Sequence, residues 1–413
     1  MKKYLAVFLS VMFVLSLAAS AFAVHAELPS ETQPIVAKGD TQITLGGELR
    51  TRGWYEKNID ATAPVESSSA AWYDQRIRLS VDAQVTPNVE GFVMTESTYN
   101  WGPDWHARPT GVDILQSWIL YKGTGLFGFN SGVKVGRMPL ALGEKQFFDH
   151  TKYGDDAIVF FMDPTEQLHV GLLSIKFLEN TTTVSSDDLD GYVGLAVYKL
   201  DDNNTIGVNY TYLDMDMLEF SHQNLGIHAN GEVSGLGYKF SGDLQFGDVL
   251  DMKYKGYALM LGLDYKVDPV TLRAGLGYGS GDDDYTDNDI DEFVPYLGAD
   301  QHYTLVYEYR VASAAGYTAS GLANTTYYNV GVDFSPASDI STSLNAYILR
   351  ASEASDSKDV GWEVDAKVKY QLAKNLTYQI DAGYFDAGQY YEDEFGLDTK
   401  GATVLRHALT LSF

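Results

Sequence analysis

The chain has no cysteine at all, only 11 prolines, and little basic charge. Without cysteine no disulfide can staple an exported protein, so backbone hydrogen bonds and burial must hold it together. The same absence removes the thiolate ligands of structural zinc, iron–sulfur clusters and attached haem. Long hydrophobic runs are also missing. A spanning helix needs roughly 18 or more consecutive apolar residues, whereas the longest uninterrupted run beyond the N-terminus is Ala157 to Met162. A helical membrane protein is therefore excluded. With 29 Lys and Arg against 56 Asp and Glu, the formal charge is −27. Such a chain repels nucleic acid, and that class of partner is excluded too.

What is present begins with a leader. Lys2 and Lys3 form a charged start, Tyr4 to Ala19 an apolar stretch, and Ala21-Phe22-Ala23 or Val24-His25-Ala26 a small-residue cleavage site. Residues 1–26 therefore read as a signal peptide, residues 27–41 as a periplasmic N-terminal segment, and 42–413 as the folded body.

That body shows strict alternation, the mark of strands. From Tyr257 to Val267 the odd positions are Tyr257, Leu259, Leu261, Leu263, Tyr265 and Val267; the even ones include Asp264 and Lys266. Ile77, Leu79, Val81, Ala83 and Val85 alternate with Arg76, Arg78, Ser80, Asp82 and Gln84, and Trp362, Val364, Ala366, Val368 and Tyr370 with Glu363, Asp365, Lys367 and Lys369. A soluble sandwich shares this pattern. The segments here are long and numerous, however, and short turns (at Pro87, Pro164, Asn203, Pro269, Ala337 and Ala373) alternate with long polar loops (57–70, 100–111, 139–155, 179–190, 280–323, 386–401). The chain ends on Leu405, His407, Leu409, Leu411 and Phe413, which resembles the C-terminal signal read by the machinery that inserts outer-membrane barrels.

The expected fold is thus all-β, a transmembrane antiparallel up-and-down barrel whose outer wall meets membrane lipid. Its strands are expected near 42–56, 71–86, 89–99, 112–122, 131–138, 156–162, 167–178, 191–200, 204–213, 223–230, 235–246, 254–267, 270–279, 324–334, 339–350, 360–371, 375–385 and 402–413. That is 18, even as a single-chain barrel requires; dropping the short segments 156–162 and 223–230 gives 16. Parity assigns the strand-like stretch His302 to Arg310 to the long loop 280–323, as a hairpin or infolded piece. Trp54 and Tyr55, Trp72 and Tyr73, Tyr327 and Tyr328, and Tyr390 and Tyr391 read as an interfacial aromatic girdle.

Several blocks, in order, resemble the alginate-export family of outer-membrane channels: Gln75-Arg76-Ile77-Arg78; Val135-Gly136-Arg137-Met138-Pro139-Leu140 with Leu142-Gly143-Glu144; Ser280-Gly281-Asp282-Asp283-Asp284 with Phe293-Val294-Pro295; and Gly361-Trp362-Glu363-Val364-Asp365 with Tyr370, Asn375-Leu376, Gly383-Tyr384-Phe385 and Gly388. The resemblance implies an 18-stranded channel with an arginine-rich interior that passes anionic solutes. The acidic loops, and Asp386-Ala387 where the family has Phe and Pro, point to a solute other than alginate.

By alternation Arg50, Arg52, Arg76 and Arg78 face the lumen from adjacent strands, with Glu48, Asp74 and Asp82 among them; Arg273 and Arg137 are candidates to join. Such a ladder would hand carboxylates or phosphates along the pore, or it would pair with wall carboxylates such as Glu363 and Asp365 and brace the barrel. In the acidic loop Asp282, Asp284, Asp287, Asp289 and Asp291 offer oxygens to a calcium ion; the other reading is a solvated loop, and no other cofactor is expected. The expected function is a porin, a passive channel for small anionic hydrophilic solutes or oligomers. Two alternatives stand beside it: a barrel sheathing a periplasmic or electron-transfer partner, and a barrel-mouth hydrolase using Asp149-His150. No catalytic residue is assigned.

Overall fold

The computed structural model describes residues 36–38, 41–59, 68–102, 111–126, 128–180, 184–298, 303–312, 321–396 and 400–413. The expected leader lies outside them. Eighteen long strands follow one another along the chain: β1 (Thr41–Lys57), β2 (Ser69–Thr86), β3 (Val89–Asn100), β4 (Asp113–Leu126), β5 (Phe129–Met138), β6 (Asp155–Asp163), β7 (Leu168–Leu178), β8 (Leu189–Lys199), β9 (Thr205–Met215), β10 (Phe220–Val233), β11 (Leu236–Val249), β12 (Tyr257–Val267), β13 (Val270–Gly279), β14 (Thr325–Ala337), β15 (Ile340–Ala351), β16 (Asp359–Ala373), β17 (Leu376–Ala387) and β18 (Ala402–Ser412). Each pairs antiparallel with its sequence neighbours. β1 also pairs with β18, from Glu48 opposite Ser412 to Lys57 opposite Thr403, and this closes the barrel. Closure matters because every backbone N–H and C=O in hydrocarbon must find a partner within the protein.

Both short segments on which the count turned are full strands, β6 and β10, so the number is 18 rather than 16. The strand expected from residue 254 instead starts at Tyr257; Met252–Tyr254 is a separate short piece paired to the end of β11. The seam is finished by the last residue: Gly47 N donates to Phe413 O at 2.8 Å and Phe413 N to Gly47 O at 3.0 Å. The tip of the Phe413 ring lies where a Cβ on Gly47 would sit, so glycine lets the ring rest directly on the β1 backbone.

Strand alternation puts apolar side chains outside. On β12 Tyr257, Leu259, Leu261, Tyr265 and Val267 are exposed, whereas Ala258 on the opposite face is buried. An 11-residue strand is about 36 Å long and, at a tilt of about 45°, covers roughly 25 Å, the height of an outer-membrane apolar band. The aromatic girdle is only half as expected. Tyr55, Tyr73 and Tyr328 face outward, but Trp54 and Tyr327 are buried on the inner face, Trp54 stacks on Trp72 at 5.5 Å, and Tyr391 is buried in a short helix, Tyr390–Phe395. Consecutive strand residues point to opposite faces, so two adjacent aromatics cannot both meet lipid.

The interior of the barrel is partly filled. In the segment 139–154, Phe147 and Phe148 are buried; Phe147 stacks on His222 of β10, and Asp149 N donates to Leu297 O at 2.7 Å. Gln245 of β11 holds the neighbouring piece by bonding both Val294 N and Val294 O at 2.8 Å. A second infolded piece runs from Tyr303 to a single wide helical turn, Tyr307–Ala312. This is the stretch whose alternation looked strand-like. It lies inside the barrel with Val306 and Glu308 fully buried, an infolded part of the long loop.

Candidate functional site in the barrel lumen

Between this second infolded piece and the wall built by β1–β3, β13 and β15–β18 lies a cavity of about 850 Å³. Among its lining residues are seven basic side chains (Arg50, Arg52, Arg76, Lys152, Arg273, Lys367, Arg406) and four acidic ones (Asp74, Glu96, Asp365, Asp381). Tyr303, Thr304, Leu305 and Tyr309 form the facing side. A chain of charge −27 therefore turns more basic than acidic side chains toward this cavity, because strand parity selects which charges face in.

The arginines are mostly braced. Arg52 Nε bonds Asp74 Oδ1 at 2.9 Å, and Asp74 also accepts the Trp54 indole N–H at 2.6 Å. Arg76 Nε bonds Glu48 Oε1 at 2.8 Å, and Arg78 Nε bonds Glu96 Oε2 at 2.6 Å. Arg273 spans β13 to β15 through Asp333 at 2.7 Å, Ser343 at 2.8 Å and Asn345 at 3.2 Å. Arg406 Nε bonds Asp381 Oδ2 at 2.9 Å and its guanidinium lies 5.1 Å from the Trp54 ring centre. Arg406, Asp381 and Lys367 were missed by the sequence reading, although the outward parity of Leu405, His407 and Leu409 already turns Arg406 inward.

Two of the expected pore residues do something else. Glu363 is fully buried and grips the infolded piece: its carboxylate accepts Val306 N–H at 2.6 Å and Tyr307 N–H at 2.7 Å. Asp365 lines the cavity while accepting Leu305 N–H at 3.0 Å. Arg310 closes the far end of the same piece on buried Glu56, Nη2 to Oε2 at 2.8 Å. Tyr303 stacks on Tyr327 at 4.6 Å, and burial keeps its hydroxyl protonated far beyond the usual range. Arg137 lies outside the lumen. It pairs with Asp156 at 2.9 Å, directly opposite on β6, on the face that exposes Val135 and Ile158.

The acidic loop does not gather its carboxylates. Asp282 accepts Asp284 N–H, Asp284 accepts Thr286 N–H, Asp287 accepts Asp289 N–H, and Asp289 pairs with Lys255. Among the described residues no three His, Asp or Glu side chains are grouped as metal ligands, Asp282, Asp284, Asp287, Asp289 and Asp291 included. Asp149 and His150 are not partners either: His150 Nδ1 meets Asp155 Oδ1 at 2.8 Å, while Asp149 bonds Thr151 and Lys145.

A closed 18-stranded barrel with an apolar outer wall, a charged lumen and infolded loops defines a bacterial outer-membrane protein of the porin architecture. The match of the alginate-export family model to residues 190–404 places the chain in that family. Its solved structural neighbours include OccK5 (OpdH) of Pseudomonas aeruginosa, at 14% identity and TM-score 0.59, covering 89% of this chain and 98% of that one. The outer membrane protein OpdK of the same organism is similar at 12% identity and TM-score 0.60, with coverage of 89% and 98%. At these identities the likeness is one of fold. No curated protein matches the chain by sequence.

Proposed function

We propose that the protein is a passive outer-membrane channel for small anionic hydrophilic solutes or oligomers. The observation that carries this reading is the make-up of the cavity lining: seven basic against four acidic side chains in a strongly acidic protein. Charges on the outer loops are screened within about 10 Å at 0.1 M salt, so the cavity wall dominates the field that a permeating ion meets there. Arginine is suited to the task because its planar fork pairs with carboxylate and phosphate. A folded partner threaded through the barrel would have to displace both infolded segments, which argues against the sheath. Asp149 is engaged by Thr151 and Lys145 and His150 by Asp155, which argues against a hydrolase built on the Asp149-His150 pair. Phe413, locked into the seam, is the residue through which the assembly machinery would recognise the last strand.

The test is a planar-bilayer recording across a tenfold KCl gradient. A reversal potential of the sign set by chloride permeation is expected; one set by potassium overturns the reading.

A further inference from the structure

Arg50 differs from every other arginine lining the cavity. Arg52, Arg76, Arg273 and Arg406 each have a carboxylate within hydrogen-bond distance. Arg50 has none among the described residues. The side chains opposite it on the two flanking strands are Arg76 on β2 and Thr410 on β18, a like charge and a neutral hydroxyl. The nearby carboxylates are already engaged, Glu48 by Arg76 and Asp74 by Arg52 and the Trp54 indole. Arg50 Nε is buried with no hydrogen-bond partner, yet the residue lines the cavity. A desolvated guanidinium with an unused donor is costly unless an anion completes it.

Resting on the anion-channel reading, we propose that Arg50 is the specificity-determining residue of the lumen: it holds one carboxylate group of the passing solute at a time, and the other arginines are positioning residues bound into the wall. The sequence suggested a ladder of equivalent rungs. The geometry points to a single site framed by braces. Arg76 and Arg52 keep their counter-ions to the side, so their charge repels other cations from the space around Arg50 without competing for the solute. A carboxylate entering that space meets the terminal N–H groups of the same fork, which no described carboxylate of the wall takes up.

The experiment reads block of single-channel current at low KCl by gluconate, a hydrophilic monocarboxylate, with sorbitol as the uncharged control of similar size. Folding of each variant is checked by its heat-dependent gel mobility. Wild type should be blocked by gluconate and not by sorbitol. Arg50→Gln should weaken the block by about tenfold or more, the loss expected for one charged hydrogen-bonding group. Arg50→Lys, which keeps the charge and loses the fork, should fall between the two and supplies the answer if the Gln variant does not fold. The double variant Glu48→Gln/Arg76→Gln removes one brace whole and should weaken the block less than Arg50→Gln does. Equal weakening by Arg50→Gln and the double variant, in a channel still selective for chloride, overturns the single site and leaves the anion channel standing. Wild-type preference for potassium with no gluconate block overturns both.

Discussion

Glu363 is the point at which the lumen can be opened by one substitution. Its carboxylate accepts two successive backbone N–H groups, Val306 at 2.6 Å and Tyr307 at 2.7 Å, and is itself fully buried. A hydrogen bond is worth about 0.5–1.5 kcal/mol net, so with two of them Glu363→Ala removes up to about 3 kcal/mol of docking. What remains includes the Asp365 bond to Leu305 N, the Arg310–Glu56 pair, the Tyr307 ring against Phe385 at 5.5 Å and the Tyr303–Tyr327 stack, the last worth roughly 0.5–1.5 kcal/mol. A loss of about 3 kcal/mol multiplies the undocked fraction about 150-fold, at 1.4 kcal/mol per decade. Since Tyr303, Thr304, Leu305 and Tyr309 form one side of the cavity, undocking should raise single-channel conductance. It should also expose the Arg310–Val311 bond to trypsin. An independent route to the same state is Gly383→Val, because even a Cβ at Gly383 would stand 2.6 Å from Val306 Cγ2. Unchanged conductance together with unchanged resistance at Arg310 in a folded Glu363→Ala protein would refute the reasoning.

Burial, with the charge of Asp282 adding to it, pushes Glu292 in the outer loop up to about 7 from its ordinary 4.5. The native loop therefore prefers the protonated form, and its packing should weaken as pH rises from about 4.5 through about 7, the reverse of the usual carboxylate behaviour. Protease protection of residues 280–298 across that window checks this, and Glu292→Gln should flatten the dependence. Chelation should leave melting and protease sensitivity unchanged, because the loop carboxylates do not converge; a drop in either with EDTA, restored by calcium, would contradict that account. Deleting Phe413 removes the two hydrogen bonds to Gly47 that finish the seam, so the heat-modifiable folded fraction should fall, and a folded yield equal to wild type would count against the seam.

The parts of this protein legible in its sequence are those governed by local parity. A strand residue has its side fixed by its neighbour, so Arg50, Arg52, Arg76, Arg78 and Arg273 could be turned inward from the apolar residues between them. The number of strands followed from the alternation of short and long connections. Arg137 shares the outward parity of Val135, and Gly136, at φ +124°, disturbs the backbone beside it without carrying the side chain into the lumen.

What the sequence could not show depends on contacts between distant segments. Glu363 lies 57 positions beyond Val306, and nothing in the alternation of β16 says that its inward carboxylate will meet two backbone donors of a folded-in loop instead of a solute. That meeting decides which charges remain for transport. A carboxylate with a backbone or arginine partner is spent on architecture, and so is the arginine. On the reading proposed above, selectivity is set by what is left over, and pairing, which needs the register of three strands at once, leaves Arg50 among the lining arginines. The acidic loop obeys the same rule on a smaller scale. Asp282, Asp284 and Asp287 each find a backbone N–H two residues on, and Asp289 finds Lys255, so the density of carboxylates in the sequence is in part a series of turns that their own side chains close.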